Sequence, residues 1–216
     1  MTERVVVIIL SQPLEETKVS LYIPYFKTLG DDMDLTFKPT LFEKLKSFKK
    51  EKYLLQTEVR KKNKNSSLIA DIGFLRDYKP RNENKYKNVN HLFLNFTGDL
   101  GLSNHILSRY ESKIERVNNS TYLKVFQNVF PDDSVMASDQ STMNSNLKFY
   151  FDKENQNLST GIEIYENLGS KNSDRYQYTL PYYNFYQNLT PFIQENSING
   201  GLNFSSSGSN TLKDTN

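Results

Sequence analysis

The side chains best suited to chemistry are few and scattered. The 216 residues hold two histidines, His91 and His105, and no cysteine. Missing thiols remove disulfides, thiolate metal sites and a Cys nucleophile together. The two imidazoles fall on different expected strands, with no His or Cys partner at ligand spacing, and read as polar strand residues. Glu111 and Glu115 stand four positions apart, but Arg109, Lys113 and Arg116 interleave them. That pattern is a charge ladder; a general acid–base pair needs a concave, desolvated setting. No G-x-S-x-G, H-E-x-x-H, P-loop or G-x-G-x-x-G motif occurs. The reading is of a chain that is not an enzyme, with no catalytic residue, metal ligand or cofactor. Sequons such as Asn157-Leu158-Ser159 are the chance product of an Asn/Ser-rich chain.

Two other residue classes carry more information. The lysines are dense in two clusters: Lys44, Lys46, Lys49, Lys50 and Lys52, then Arg60, Lys61, Lys62 and Lys64. They suit solvated loops, or contact with anionic headgroups and phosphates. Pro24, Pro39 and Pro181 fall inside strand-like runs, where each removes a ladder donor. Such prolines mark a strand end or bulge, or a seam that must open.

The elements that would carry these residues are β-strands. Period-two alternation recurs in runs of about 8–11 residues. Leu35, Phe37, Pro39 and Leu41 share one face, against Thr36, Lys38 and Thr40. Val19, Leu21, Ile23 and Tyr25 form a similar row. Leu68, Ala70, Ile72 and Phe74 alternate with Asp71 and Gly73, and Leu92, Leu94 and Phe96 with Phe93 and Asn95. Leu147, Phe149 and Phe151 make another row, as do Tyr176, Tyr178, Leu180 and Tyr182. Ser108 to Arg116 reads as a strand with Ile106, Ser108, Tyr110, Ser112 and Ile114 on one face, and Phe42 to Lys52 as a Lys-rich hairpin loop. Short polar turns between the runs predict an antiparallel meander of about ten strands over residues 1–204. Residues 205–216 read as a Ser/Asn-rich frayed end.

Composition narrows the class. Fourteen Tyr and fourteen Phe with no Trp favour strands. A mean hydropathy of −0.66 excludes a bundle of transmembrane helices, but not a barrel whose apolar and polar faces average out. A net charge of +2 gives no field for nucleic acid. The apolar run Val5 to Leu10 is too short for a secretory signal and reads as a buried strand. A soluble sandwich and a transmembrane barrel both fit the meander.

The segment from Val19 to Phe42 resembles the first barrel strands of the LPS-assembly protein (LptD, organic solvent tolerance) family. Ile23-Pro24-Tyr25-Phe26 is similar to that family's [L/I]PYY-like strand end, and Asp34-Leu35-Thr36-Phe37-Lys38-Pro39 to its D-[LA]-T-[FI]-x-P strand. Leu54 to Arg60 is similar to its L-x-x-E-[YF]-R strand, Glu115 to Lys124 to its V-S-D-x-[TS]-Y-[LF] segment, and Tyr178 to Tyr183 to its LPxxxY strand. The five lie in family order across about 170 residues.

The resemblance implies a partial transmembrane β-barrel: an open, curved sheet of about ten strands in the cell outer membrane. It implies lipopolysaccharide, the outer-membrane bilayer, an LptE-like plug lipoprotein and periplasmic bridge proteins as partners, with no nucleic acid. In that family the lipid leaves between the first and last strands, beside prolines that weaken the seam; Pro24 matches one of these and Pro13 is a looser match to the other. The family's periplasmic jellyroll and later strands have no counterpart here. The chain is therefore expected to be a fragment, or a degenerate remnant, inactive by itself. The rival readings are a soluble β-sandwich that binds carbohydrate through its Tyr-rich faces, and a generic porin or adhesin barrel.

Overall fold

A computed structural model describes residues 4–5, 8–10, 19–43, 52–79, 84–126, 135–137, 139–170, 174–190 and 200–213. Among them are thirteen strands and one short helix. The first four strands are short: β1 (Arg4–Val5), β2 (Ile8–Leu10), β3 (Val19–Tyr22) and β4 (Tyr25–Thr28). The next five are β5 (Met33–Glu43), β6 (Lys52–Lys62), β7 (Ser66–Tyr78), β8 (Lys87–Asp99) and β9 (Leu107–Val117). Helix α1 (Tyr122–Phe126) precedes β10 (Thr142–Lys153), β11 (Gln156–Asn167), β12 (Tyr176–Asn188) and β13 (Asn203–Lys213).

The chain is all-β, as its alternation predicts. Strand order runs β1, β4, β5 and then consecutively to β13, with β2 and β3 paired beside its start. Among the described residues the path has two ends, β1 and β13. Pairing is antiparallel from β1 to β7 and from β9 to β13. Backbone contacts divide the chain into two compact units, Met1–Asn95 with Ile114–Ser141, and Phe96–Lys113 with Thr142–Asn216.

In the first unit, register sorts side chains by polarity. One face of β5–β6–β7 carries the cross-strand rows Phe37–Thr57–Ile72 and Pro39–Leu55–Phe74. This apolar face is the accessible one: Ile72 is 54% exposed, Tyr53 51% and Leu41 46%. The other face carries Lys38–Gln56–Gly73 and Thr36–Glu58–Asp71, and Lys38, Gln56, Glu58 and Asp71 are buried. Beside them lies a small apolar core of Phe42, Leu54, Leu75, Tyr78, Val89 and Phe93. Asp77 takes a positive φ of 57°. That local irregularity brings buried Tyr78 to the side of buried Leu75, three residues before it.

Helix α1 closes this core with Tyr122, Leu123 and Phe126. The Phe126 ring lies 5.6 Å from Phe42, 5.8 Å from Tyr78 and 5.2 Å from Tyr122. Asn119 starts the turn, its side-chain oxygen accepting from Thr121 N (2.9 Å) and Thr121 Oγ1 (2.7 Å). Just before it, Asn118 fastens the end of β9 to β8. Its Oδ1 accepts from Asn90 N at 2.9 Å, and its Nδ2 donates to Asn88 O at 3.0 Å.

The second unit shows the same sorting. Leu147–Ile162, Phe149–Thr160–Tyr183 and Phe151–Leu158–Phe185 share one face. The other carries Lys148–Gly161–Tyr182 and Tyr150–Ser159–Asn184, with Glu111 opposite Lys148 and Arg109 opposite Tyr150. There Lys148 Nζ meets Glu163 Oε1 at 2.6 Å, Tyr165 donates to Glu163 Oε2 at 2.8 Å, and the Arg109 guanidinium lies 4.9 Å from the Tyr150 ring centre.

Several expectations need correcting. Strand β12 has one extra residue at Leu180–Pro181 relative to both neighbours. This bulge puts Tyr178 and Tyr182 on opposite faces, where alternation alone joined them in one row. His105 and Ile106 lie in the β8–β9 connection, not on a strand. The boundary expected at residue 204 falls inside β13, which pairs with β12 from Asn203 to Lys213. Main-chain ladder bonds hold this Ser-rich strand, and they are indifferent to side-chain identity. Residues 214–216 lie outside the described residues, as does the expected hairpin loop from position 44 to 51.

Candidate functional site

The densest cluster of reactive groups lies on the buried face of the first unit. Strand parity aims Lys38 from β5, Gln56 and Glu58 from β6, Asp71 from β7 and His91 from β8 to one side, and α1 lowers Tyr122 onto them. Lys38 Nζ stands 2.5 Å from Glu58 Oε2 and 3.3 Å from Asp71 Oδ2. Arg60 Nε pairs with the other Glu58 oxygen. Gln56 Nε2 donates to Asp71 Oδ1 at 3.4 Å. His91 Nε2 lies 2.6 Å from Asp71 Oδ1, and His91 Nδ1 lies 2.7 Å from Tyr122 OH.

These contacts fix the direction of the chain of hydrogen bonds. The Asp71 carboxylate can only accept, so His91 Nε2 carries a proton and donates to it. In the neutral ring Nδ1 is then a lone pair and accepts from the Tyr122 hydroxyl. Burial pushes the Tyr122 phenol well above the ordinary tyrosine range, and the charge on Asp71 pushes it further. Tyr122 is thus a fixed donor. Two cations, Lys38 and Arg60, meet two carboxylates, Glu58 and Asp71, so the cluster is neutral while His91 is neutral. Lys38, Glu58, Asp71, His91 and Tyr122 are each no more than 4% exposed. Their hydroxyl, imidazole and carboxylate groups form a chain of hydrogen bonds sealed from solvent, and what the arrangement does is hold α1 on the sheet. Among the described residues no group of His, Asp and Glu side chains has metal-site geometry.

The prolines fall elsewhere. Pro24 sits in the break between β3 and β4, both of which pair with β5. Ile23 N donates to Pro39 O at 3.2 Å. Successive strand residues bond to opposite sides, so the donor missing at Pro24 faces β1 and β2, and the donor missing at Pro39 faces Ile23. The two prolines weaken both sides of one ribbon. Among the described residues, β4 pairs with β1 at Val5↔Tyr25 on one side of Pro24, and β3 with β2 at Ile8↔Tyr22 on the other. Pro13 lies outside the described residues.

Of the two lysine clusters, Lys44 to Lys50 lie outside the described residues; in the other, Lys61 Nζ lies 3.8 Å from Asp32 at the surface. Glu111 pairs with Arg109 at 3.2 Å, whereas Glu115 is buried.

Sequence reasoning missed the cluster because its members come from four strands and a helix. Asp71 is 20 positions before His91 and Tyr122 is 31 after it. One signal was present: Lys38, Glu58, Asp71 and His91 each place a titratable side chain in the middle of a strand-like run. No protein-family model matches the chain, and no curated protein matches it.

Proposed function

We propose that this chain forms part of the wall of an outer-membrane β-barrel of the LptD kind, a translocon that inserts lipopolysaccharide into the outer leaflet through a lateral gate. The observation that supports it most is the reversed polarity of β5–β7. Ile72 and Phe74 are 54% and 42% exposed, while Lys38, Glu58 and Asp71 on the opposite face are buried. In water that arrangement forfeits hydrophobic burial and still desolvates charge. Against acyl chains it is favourable, because the apolar row meets lipid and the charges satisfy one another away from it. Strands β5 to β13 of 11–13 residues reach or exceed the roughly 9–11 that a tilted bilayer crossing needs. A soluble sandwich would press such rows into a dry layer between sheets. No helix among the described residues is long and apolar enough to cross a membrane.

The lipopolysaccharide part of the proposal draws on the five ordered motif resemblances and on Pro24 beside the first strands. Lipopolysaccharide, an LptE-like plug lipoprotein and periplasmic bridge proteins are the partners it implies, and this chain alone would be inactive.

The absence of Trp makes the barrel reading easy to test. Single Trp residues at Ile72→Trp and Ile162→Trp, on the apolar faces, should be quenched by lipids brominated on their acyl chains, whereas Ser159→Trp on the polar face should not. Equal quenching on both faces, or a monodisperse product that needs no detergent, would remove the barrel.

A further inference from the structure

At one end of the second unit, three neighbouring segments line an open cavity of about 690 Å³. They are the β8–β9 connection at 103–106, the β10–β11 turn at 153–156, and the end of β12 at 187–189. Main-chain bonds tie them together: Ile106 N donates to Asp152 O at 2.8 Å, and Asn188 N to Asn155 O at 2.8 Å. The walls are thus set by the strand ends.

The residues that line it are rich in carboxamides, Asn104, Asn155, Gln156, Gln187 and Asn188, of which Asn188 Oδ1 already accepts from Thr190 N at 3.0 Å. Gln156 and Gln187 are direct cross-strand partners, so two amide groups stand side by side. The two charged lining residues, Lys153 and Glu154, cancel. Ile106, 74% exposed, offers an apolar surface at the cavity. His105 sits 6.0 Å from the Phe151 ring, and its Nδ1 is buried with no hydrogen-bond partner among the described residues.

We propose that this cavity is a binding site for a neutral oligosaccharide. A carboxamide donates and accepts within one plane, which matches a sugar hydroxyl that does both. A lining of zero net charge gives a phosphate or sulfate no cationic clamp. An extended peptide would bind by adding to a sheet edge, whereas the cavity lies where strands end in turns. Its volume falls within the roughly 300–1,000 Å³ of small-molecule sites. The site stands whether or not the chain lies in a membrane.

The test uses the full chain in lauryldimethylamine oxide, a detergent without a sugar headgroup. Saturation-transfer NMR is run with maltotriose, cellotriose, chitotriose and mannotriose. At least one should bind with a Kd below about 10 mM. Gln156→Ala with Gln187→Ala should weaken it about tenfold, with an unchanged circular dichroism spectrum. Inorganic phosphate and tetra-alanine should not compete. If the double variant does not fold, Asn104→Ala in the exposed connection takes its place with the same expected loss. Absence of binding by all four sugars, unchanged affinity in the folded variant, or competition by phosphate or peptide overturns the proposal.

Discussion

The imidazole of His91 occupies the space where a side chain at Gly73 would begin. A Cβ placed on Gly73 would stand 2.6 Å from His91 Nδ1 and 2.9 Å from Nε2, far inside contact distance. Gly73 is the residue of β7 that lets the ring lie down between Asp71 and Tyr122. The device recurs with other rings: a Cβ on Gly98 would meet Tyr110 at 2.5 Å, and one on Gly208 would meet Tyr183 at 2.8 Å. Glycine weakens a strand by itself, so each is offset by the aromatic contact it admits.

Gly73→Ala should therefore act through His91. The ring must leave its place, and the Asp71 and Tyr122 bonds go with it. The expected loss is about 2–3 kcal/mol, read as a shift of the urea midpoint followed by circular dichroism. A change below about 0.5 kcal/mol, the range of neutral surface substitutions, would show that the ring is not held as described.

The buried charges make a second prediction. Lys38→Met leaves Glu58 and Asp71 without their shared cation in a dry setting, and breaking a buried pair from one side costs about 3–5 kcal/mol. Adding Glu58→Gln removes one of the stranded charges. The double variant should be more stable than the sum of the two single changes by at least about 1 kcal/mol. Strict additivity in the same urea titrations would mean that Lys38 and Glu58 do not interact.

What the sequence disclosed follows from how local each feature is. The rows through Phe37 and Leu41, Ile72 and Phe74, and Phe149 and Phe151 are period-two signals within single strands, and each became a strand of the expected face. The β12 bulge at Leu180–Pro181 slipped through, because one inserted residue leaves alternation intact on either side while reversing its meaning. Five residues of α1 are too few for a helical period, and its start is set by the Asn119 side chain. The His91 cluster was hidden because sequence adjacency gives no register: Glu58 opposite Asp71 exists only once β6 and β7 are aligned. The Ser-rich end was read by side-chain character, whereas β13 is held by its backbone.

Tyr122 yields a test with a spectroscopic readout. Its phenol is held up by burial and then by Asp71, so in the folded protein it stays protonated while exposed tyrosines ionise near pH 10. A raised folded-state value means that this stabilisation is complete below the unfolded value and is lost as pH rises through the folded one. Alkaline titration of tyrosinate absorbance should show a late step, ionising only with unfolding, to which Tyr122 contributes. Tyr122→Phe should lower the amplitude of that step by one tyrosine and cost about 1–2 kcal/mol at neutral pH through the lost bond to His91. An unchanged late amplitude in the variant would show that Tyr122 is not among the late-ionising residues.

Pro24 connects the fold to the proposed gate. The donor it lacks points toward β1 and β2, the strands at one end of the sheet, between the described pairs Val5↔Tyr25 and Ile8↔Tyr22. Pro24→Ala restores an N–H aimed between those pairs and frees the backbone to continue from β3 into β4. Hydrogen exchange of the β2 amides, Ile8 to Leu10, should slow by about fivefold, the effect of roughly one net hydrogen bond. In a complete translocon of the proposed kind, the same substitution should slow delivery of lipopolysaccharide to the outer leaflet, because the seam then opens against one more bond. Slower exchange with unchanged delivery would keep Pro24 as a strand breaker and remove it from the gate. Unchanged exchange would show that the break between β3 and β4 does not depend on the missing donor.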